Sequence, residues 1–257
     1  MCLLVIALRQ HEKLPLIVAG NRDEFHARAT QIAHWWPDNP QVLGGRDLQA
    51  GGTWLAAHRN GRFATVTNYR DAKKERAGLK SRGHLVTDFL KSNLAPFDYL
   101  QSIDGDVYAG FNLLVVDRGA AAYLSNRGAA MRELPPGIYG LSNATLDEPW
   151  TKVTRSKSRL QALIENDEVN ETNLLRMLDD RNKAASEKVQ TNGLSFSLAH
   201  ALTAPFIVLP EYGTRCSTVL TVSDTGSARF AERRFDALGR TTGESSYTFE
   251  SGTVDGK

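Results

Sequence analysis

Cysteine is scarce in this sequence: among 257 residues only Cys2 and Cys216 carry a thiol. A disulfide scaffold needs more cysteines than two. Neither residue lies in the C-x-x-C spacing of zinc ribbons and thioredoxin-like proteins, or in the C-x-x-C-H motif of covalent haem attachment. The cysteine content therefore excludes these classes and predicts a reduced, cytoplasmic protein without a disulfide or a metal centre.

An excess of charge of one sign is also missing, and so is a long hydrophobic run. The 31 Lys and Arg residues against 29 Asp and Glu residues give a formal net charge of +2, too small to indicate nucleic acid binding. The apolar run at residues 2–8 is too short to cross a membrane, and it has no basic segment before it as a secretory signal would. We therefore expect neither a nucleic acid partner nor a transmembrane segment.

Short apolar runs separated by turn signals dominate both ends of the chain. Buried strands are predicted at 2–8 and 14–19, and Asn60-Gly61 between two alternating segments, 53–58 and 62–68, predicts a β-hairpin. Further strands are predicted at 111–116, 120–124, 137–141, 206–209, 217–222, 228–235 and 247–249.

Helical spacing is confined to the middle of the chain. Ser81 is the predicted N-cap of a first helix. Two more helices are predicted at 151–164 and 171–178. The basic residues of the second helix are expected on its solvent face; they are Lys152, Arg155, Lys157 and Arg159.

Strands at both ends with helices between them indicate an α+β fold. Because the strands are apolar on consecutive positions, both faces of each sheet should be covered. We predict a four-layer αββα sandwich, in which two stacked, mainly antiparallel sheets have helices outside. Residues 1–257 are expected to form one domain, with a frayed tail at 251–257.

Cys2 could act as a nucleophile because it is the second residue of the chain. Initiator methionine is generally removed before a small residue, which would leave Cys2 with a free α-amine of pKa about 7.7 to 8.0 that acts as general base for its own thiol. Nucleophile and base would then belong to one residue. The alternative is that Cys2 is a buried strand residue.

Four other residues carry groups that suit such a nucleophile. Asp23 follows the second strand and is placed to orient the amine or thiol. Asn68 and Asn143 close two other strands and can donate to an oxyanion, and Arg215 begins a late strand, where its charge can lower a thiol pKa. Each also has a plainer role, as a solvated turn, a turn former or a surface ion pair.

The motifs around these residues resemble the NRDE family, also called the transport and Golgi organisation family. The resemblance runs in order through the whole chain and is densest over the first 70 residues. The motifs that carry it are Asn21-Arg22-Asp23-Glu24, Gly44-Gly45-Arg46-Asp47-Leu48, Gly51-Gly52-Thr53-Trp54, Thr67-Asn68-Tyr69-Arg70, Leu141-Ser142-Asn143-Ala144 and Gly213-Thr214-Arg215.

That family is similar to the cysteine type of N-terminal nucleophile hydrolases, which includes bile-salt hydrolase, penicillin V acylase and acid ceramidase. The resemblance implies a nucleophile, its acidic partner, two oxyanion-side amides and a late arginine. These are Cys2, Asp23, Asn68, Asn143 and Arg215. The predicted substrate-binding residues are Asn21, Arg22, Trp54, Tyr69 and Arg70.

The sequence departs from the hydrolases at one position. They carry an arginine three residues before the aspartate, where this chain has Gly20. Because neighbouring strand residues point to opposite faces, we do not expect Arg22 to replace that arginine.

Two functions follow from the resemblance. The first is a Cys2-dependent amidase or acyl hydrolase that acts on a small or lipid-like substrate and needs no cofactor. The second is a non-catalytic carrier of haem, lipid or acyl-coenzyme A in the same pocket, because the family is associated with haem trafficking and lipid homeostasis. The basic segment from Arg70 to Arg82 would then meet propionates or phosphates.

Overall fold

The computed structural model describes residues 2–70, 78–128, 130–191 and 193–251. Most of the basic segment that follows Arg70 lies outside the described residues. The strands are β1 Cys2–Leu8, β2 Leu16–Phe25, β3 Thr30–Trp36, β4 Asn39–Asp47, β5 Leu55–His58, β6 Phe63–Asn68, β7 Phe111–Asp117, β8 Ala120–Ser125, β9 Arg132–Glu133, β10 Gly137–Leu141, β11 Tyr212–Val222, β12 Ser227–Phe235 and β13 Thr241–Glu250. The α-helices are α1 Gly83–Lys91, α2 Pro96–Gln101, α3 Thr151–Glu165, α4 Glu171–Leu178 and α5 Phe196–Ala201.

The strands form two antiparallel sheets. The first has the order β10-β1-β2-β11-β12-β13 and the second has the order β3-β4-β5-β6-β7-β8-β9. Because the order brings β10 and β11 to the two sides of the β1–β2 pair, residues from distant parts of the sequence meet at one end of the first sheet. The sheet topology therefore positions the site described below.

Alternation along β1 explains how both faces of the first sheet are buried. Leu4 and Ile6 point into the core between the two sheets, while Val5 and Ala7 pack against the side that α3 and α4 cover. On the outer face of the second sheet, α1 contributes residues such as Phe89 to a third cluster. The predicted four-layer αββα sandwich is confirmed.

The hairpin at Asn60-Gly61 is confirmed, since β5 pairs with β6 and Gly61 has a positive φ of 90°. The sequence did not predict β3 and β4. Their register shifts at two places, so their residues do not alternate between buried and exposed as ordinary strand residues do.

Three local predictions are wrong. The segment 206–209 is not a strand; it makes an isolated bridge from Val208 to Gly213. Arg82, rather than Ser81, caps α1, without a side-chain hydrogen bond. Ser251 does not fray, because it is buried and its backbone N–H donates to the carbonyl of Gly226 at 2.7 Å; residues 252–257 lie outside the described part of the chain.

Within the described residues, no helix is long and apolar enough to span a bilayer.

Candidate functional site

Cys2, Arg22 and Cys216 lie side by side on one face of the first sheet. Arg22 pairs with Cys2 of β1 on one side and with Cys216 of β11 on the other. Directly paired residues of antiparallel strands point to the same face. This is the face that meets the second sheet, and all three residues line a cavity of about 580 Å³, called here the Cys2 cavity.

A β-bulge brings Cys216 into this cavity. The register of β11 against β2 shifts between Thr214 and Cys216, so Arg215 is the extra residue and its neighbours point to opposite faces. Cys216 is buried, and it lines the cavity. Burial raises its pKa well above the usual range, and the nearby carboxylate of Glu232, another wall residue, acts in the same direction.

The thiol of Cys2 is held in a largely dry environment, with 8% of the residue exposed. Burial raises its pKa, while the backbone N–H of Asp23 and the charge of Arg22 favour the thiolate. The backbone carbonyl of Cys2 accepts a hydrogen bond from Ser142 Oγ at 2.7 Å. Neighbouring groups therefore interact with both the side chain and the main chain of Cys2.

Asp23 lies beside Cys2 but on the opposite face of β2 from Arg22, with 2% of the residue exposed. Its Oδ1 accepts a hydrogen bond from Thr214 Oγ1 at 2.7 Å. Burial raises the pKa of the carboxyl to about 6, although the positive charge of Lys152 opposes the shift. The carboxyl therefore titrates close to neutral pH.

The sequence analysis missed Lys152. It lies in the first turn of α3, and only 1% of it is exposed, so its expected place on a solvent face is wrong. Within the described part of the chain, Nζ has no hydrogen-bond partner. Burial lowers its pKa to about 8, against the opposing effects of Asp23 and Cys2.

A signal for this burial is present in the spacing of α3. Lys152, Ser156 and Leu160 are spaced i, i+4 and i+8 and are all buried, which places them on one stripe of the helix. A lysine that begins such a stripe is directed at the sheet beneath the helix.

The two predicted oxyanion-side asparagines are joined by a hydrogen bond. Asn143 Nδ2 donates to the carbonyl of Asn68 at 2.7 Å, and Asn143 Oδ1 accepts from Ser142 Oγ at 3.2 Å. Asn143 is buried, whereas Asn68 is exposed and lines the Cys2 cavity. Since Ser142 Oγ also donates to the carbonyl of Cys2, Asn143 is linked to Cys2 through one side chain.

Arg22 lies on the same face of β2 as Gly20. The two residues are two positions apart, and they pair with Cys2 and Leu4 of β1, so no change of face separates Arg22 from the position of Gly20. A Cβ at Gly20 would lie 2.9 Å from the carbonyl oxygen of Leu3 and 3.1 Å from Trp54 Cη2. Trp54, which lines the cavity, therefore occupies the space beside Gly20.

Five predicted site residues are not among the wall residues of the Cys2 cavity that the structure describes; they are Asn21, Tyr69, Arg70, Asn143 and Arg215. Asn21 Nδ2 donates to the carbonyls of Leu178 and Pro205, both at 2.9 Å, on the helix side of the sheet. Arg215 Nη1 donates to backbone carbonyls at the end of β2 and just after it, at 2.8 Å for Phe25. The backbone N–H of Tyr69 donates to Gly110 at 2.9 Å.

Arg70 lines a second, separate cavity. This cavity has a volume of about 270 Å³, includes Lys152 in its wall, and is called here the Lys152 cavity. The guanidinium of Arg70 lies 5.2 Å from the ring centroid of Trp150. Lys152 thus lines one cavity while its charge acts on the Asp23–Cys2 pair of the other.

Within the described residues, no group of three or more His, Cys, Asp or Glu side chains is arranged to hold a metal ion.

Comparison with known proteins gives a consistent result. The family described as Transport and Golgi organisation 2 matches residues 1–237. The chain is 36% identical over 239 residues to the Transport and Golgi organization protein 2 homolog of Bos taurus, with 85% of this chain and 86% of that protein covered. The Homo sapiens homolog is 33% identical over 237 residues, with the same two shares covered.

Among solved structures, the fold is similar to that of the C2A mutant of conjugated bile acid hydrolase from Clostridium perfringens. The TM-score is 0.53 at 9% sequence identity, and the match covers 100% of this chain and 94% of that chain. At this identity the likeness concerns the fold.

Proposed function

This chain belongs to the Transport and Golgi organisation 2 family, and we propose that it is a cysteine-dependent amide or acyl hydrolase whose nucleophile is Cys2. The observation that carries the proposal is the position of the Cys2 thiol. It lines a cavity large enough for a drug-sized or lipid-like ligand, beside the guanidinium of Arg22 and the backbone N–H of Asp23.

The proposed reaction requires removal of Met1. The free α-amine of Cys2 then takes the thiol proton, and the sulfur attacks the substrate carbonyl carbon. When the tetrahedral intermediate collapses, the C–N bond breaks and the ammonium returns the proton to the leaving amine. Water then attacks the thioester, the amine accepts a proton from it, and the carboxylic acid leaves as the thiol is restored.

The neighbouring residues have distinct parts in this scheme. Asn68 lines the cavity, and we assign its side-chain amide to the oxyanion; loss of one such donor typically raises the barrier by about 3 to 4 kcal/mol. Asn143 is a positioning residue, because its amide donates to the carbonyl of Asn68. Asp23 holds the α-ammonium, and Arg22 favours the thiolate.

The test compares two cysteine variants that line the same cavity. Hydrolysis of a panel of N-acyl 4-nitroanilides with short and long acyl chains is measured for the native protein, Cys2→Ala and Cys216→Ala. The proposal expects turnover to be lost in Cys2→Ala and retained in Cys216→Ala. Equal activity of the two variants on every hydrolysed substrate contradicts it.

A second candidate is a carrier that uses the same cavity without a reaction. It is favoured by the burial of Cys2, which raises the thiol pKa and so opposes formation of the free thiolate that would attack a carbonyl. The ligand would be lipid-like or haem. For haem, Cys2 and Cys216 offer two thiols in the cavity wall, and coordination to the iron would itself deprotonate the thiol that becomes the axial ligand.

Spectral titration with haem tests this candidate. A Soret shift that saturates with the native protein and is lost in the Cys2→Ala, Cys216→Ala double variant supports it, and an equal shift with that variant rejects it. Both candidates require free thiols, as observed, and we place the protein in a reducing compartment such as the cytoplasm.

A further inference from the structure

The Lys152 cavity lies at the N-terminus of α3. Trp150, Thr151 and Lys152 line it together with Lys188 and Leu202. None of its described wall residues is shared with the Cys2 cavity. It therefore offers a second binding volume.

The charge of this wall has one sign. Arg70, Lys152 and Lys188 line the cavity, and the wall residues that the structure describes include no aspartate or glutamate. Arg70 and Lys152 share this wall, and the charge of Arg70 lowers the pKa of Lys152. Three cations around about 270 Å³ favour a ligand with more than one negative charge.

The N-terminus of α3 borders the same cavity. The helix α3 has 15 residues, no acidic residue in its first turn and no side-chain cap on Trp150. The first N–H groups of a helix have no acceptor within it and carry the positive end of the helix dipole. Such a terminus is a ready anion site when other groups support it.

Lys152 supplies that independent support. The residue lines the cavity, and its Nζ is buried and has no hydrogen-bond partner among the described residues. A buried ammonium without a partner is costly, because it loses its hydration without a compensating hydrogen bond. A bound anion would supply the missing acceptor.

We propose that the Lys152 cavity binds a phosphate group, held by Lys152, Arg70, Lys188 and the first N–H groups of α3. Phosphate fits better than a carboxylate because its second charge matches the three cations, and lysine binds phosphate readily as a point charge. The remaining wall includes Leu202 and the Trp150 ring, so the ligand class is a small phosphorylated molecule with an apolar part.

The experiment is calorimetric titration of the full chain with inorganic phosphate, phenyl phosphate and acetate at pH 7 and constant ionic strength. We expect saturable binding of phosphate, tighter binding of phenyl phosphate, and weaker binding of acetate. Lys152→Met should weaken phosphate binding about 10- to 100-fold, the range for loss of a charged hydrogen bond.

Two exposed lysines provide a pair of variants in which a change in phosphate binding does not arise from a change in folding. Lys188 lines the cavity, whereas Lys183 is exposed but is not part of its wall. Lys188→Met should weaken phosphate binding several-fold relative to Lys183→Met, although both variants lose one charge. The proposal is overturned if phosphate does not bind saturably, if the two variants bind it equally, or if acetate binds as tightly as phosphate.

Discussion

Cys2 and Cys216 lie on the same face of the first sheet, one on each side of Arg22. Because one strand separates them, their Cα atoms are about 10 Å apart, twice the spacing of neighbouring strands. A disulfide needs less than about 7 Å, and both thiols are free. The arginine between them opposes the effect of burial on the pKa of both thiols.

Replacement of Arg22 should make Cys2 less reactive. In a Cys216→Ala background, Arg22→Gln removes the charge that favours the thiolate, so the pKa of Cys2 should rise further and alkylation by iodoacetamide at pH 8 should slow several-fold. Arg46→Gln is the matched control, since Arg46 lines the same cavity and pairs with Asp38 at 2.7 Å. An unchanged alkylation rate in Arg22→Gln would contradict the assignment.

Much of this arrangement was predictable from the sequence. Strand periodicity and the Asn60-Gly61 turn predicted the strands β1, β2, β5 and β6. The family motifs indicated Cys2 and Asp23 as site residues. The position of Cys216 was not predictable, because it depends on a bulge at Arg215. A bulge changes which residues of the strand face the cavity, and the local sequence pattern does not indicate where it lies.

Lys152→Met should raise the pKa of Asp23 above its value of about 6. The ammonium is the largest influence that opposes the effect of burial on that carboxyl, and its removal leaves the carboxylate less stabilised. The measurement is a pH titration of the Asp23 side-chain carbon by NMR. Lys157→Met is the control, since Lys157 lies on the same helix and pairs with Asp147 at 2.6 Å; an unmoved Asp23 pKa in Lys152→Met refutes the coupling.

Asp23 should make the free energy of unfolding depend on pH. Its pKa is about 6 in the folded chain against 3.8 ordinarily, so the folded state binds more protons between these values and the free energy of unfolding falls as pH rises from about 4 to 6. The difference corresponds to about 3 kcal/mol at most. Denaturant unfolding of the native protein and Asp23→Asn at several pH values measures it; parallel pH profiles would be the contrary result.

Asn143 should matter for stability as well as for the site. Asn143→Ala removes the 2.7 Å hydrogen bond to the carbonyl of Asn68, and the net loss of one hydrogen bond should lower the free energy of unfolding by about 0.5 to 1.5 kcal/mol. Urea unfolding tests this, with Asn166→Ala as control because Asn166 is exposed and its loss should change stability by less than about 0.5 kcal/mol. Equal stability of the two variants would rule out a structural role for the Asn143 hydrogen bond.

The site was harder to predict than the fold for a physical reason. The layers of the fold can be predicted because each strand or helix shows its own apolar periodicity. Lys152, Asp23 and Arg70, in contrast, come together only because α3 packs on β1 and β10. A lysine on such a helix stripe is buried only if that packing covers its side chain. Its lowered pKa is thus a property of the tertiary structure.

The most direct test of the central claim is intact-mass and peptide analysis of the native protein trapped during hydrolysis of an N-acyl 4-nitroanilide. The account predicts a chain that has lost Met1 and carries the acyl group on Cys2, with no such adduct on Cys216. A chain that hydrolyses the substrate while it retains Met1, or that carries the acyl group on another residue, would contradict it.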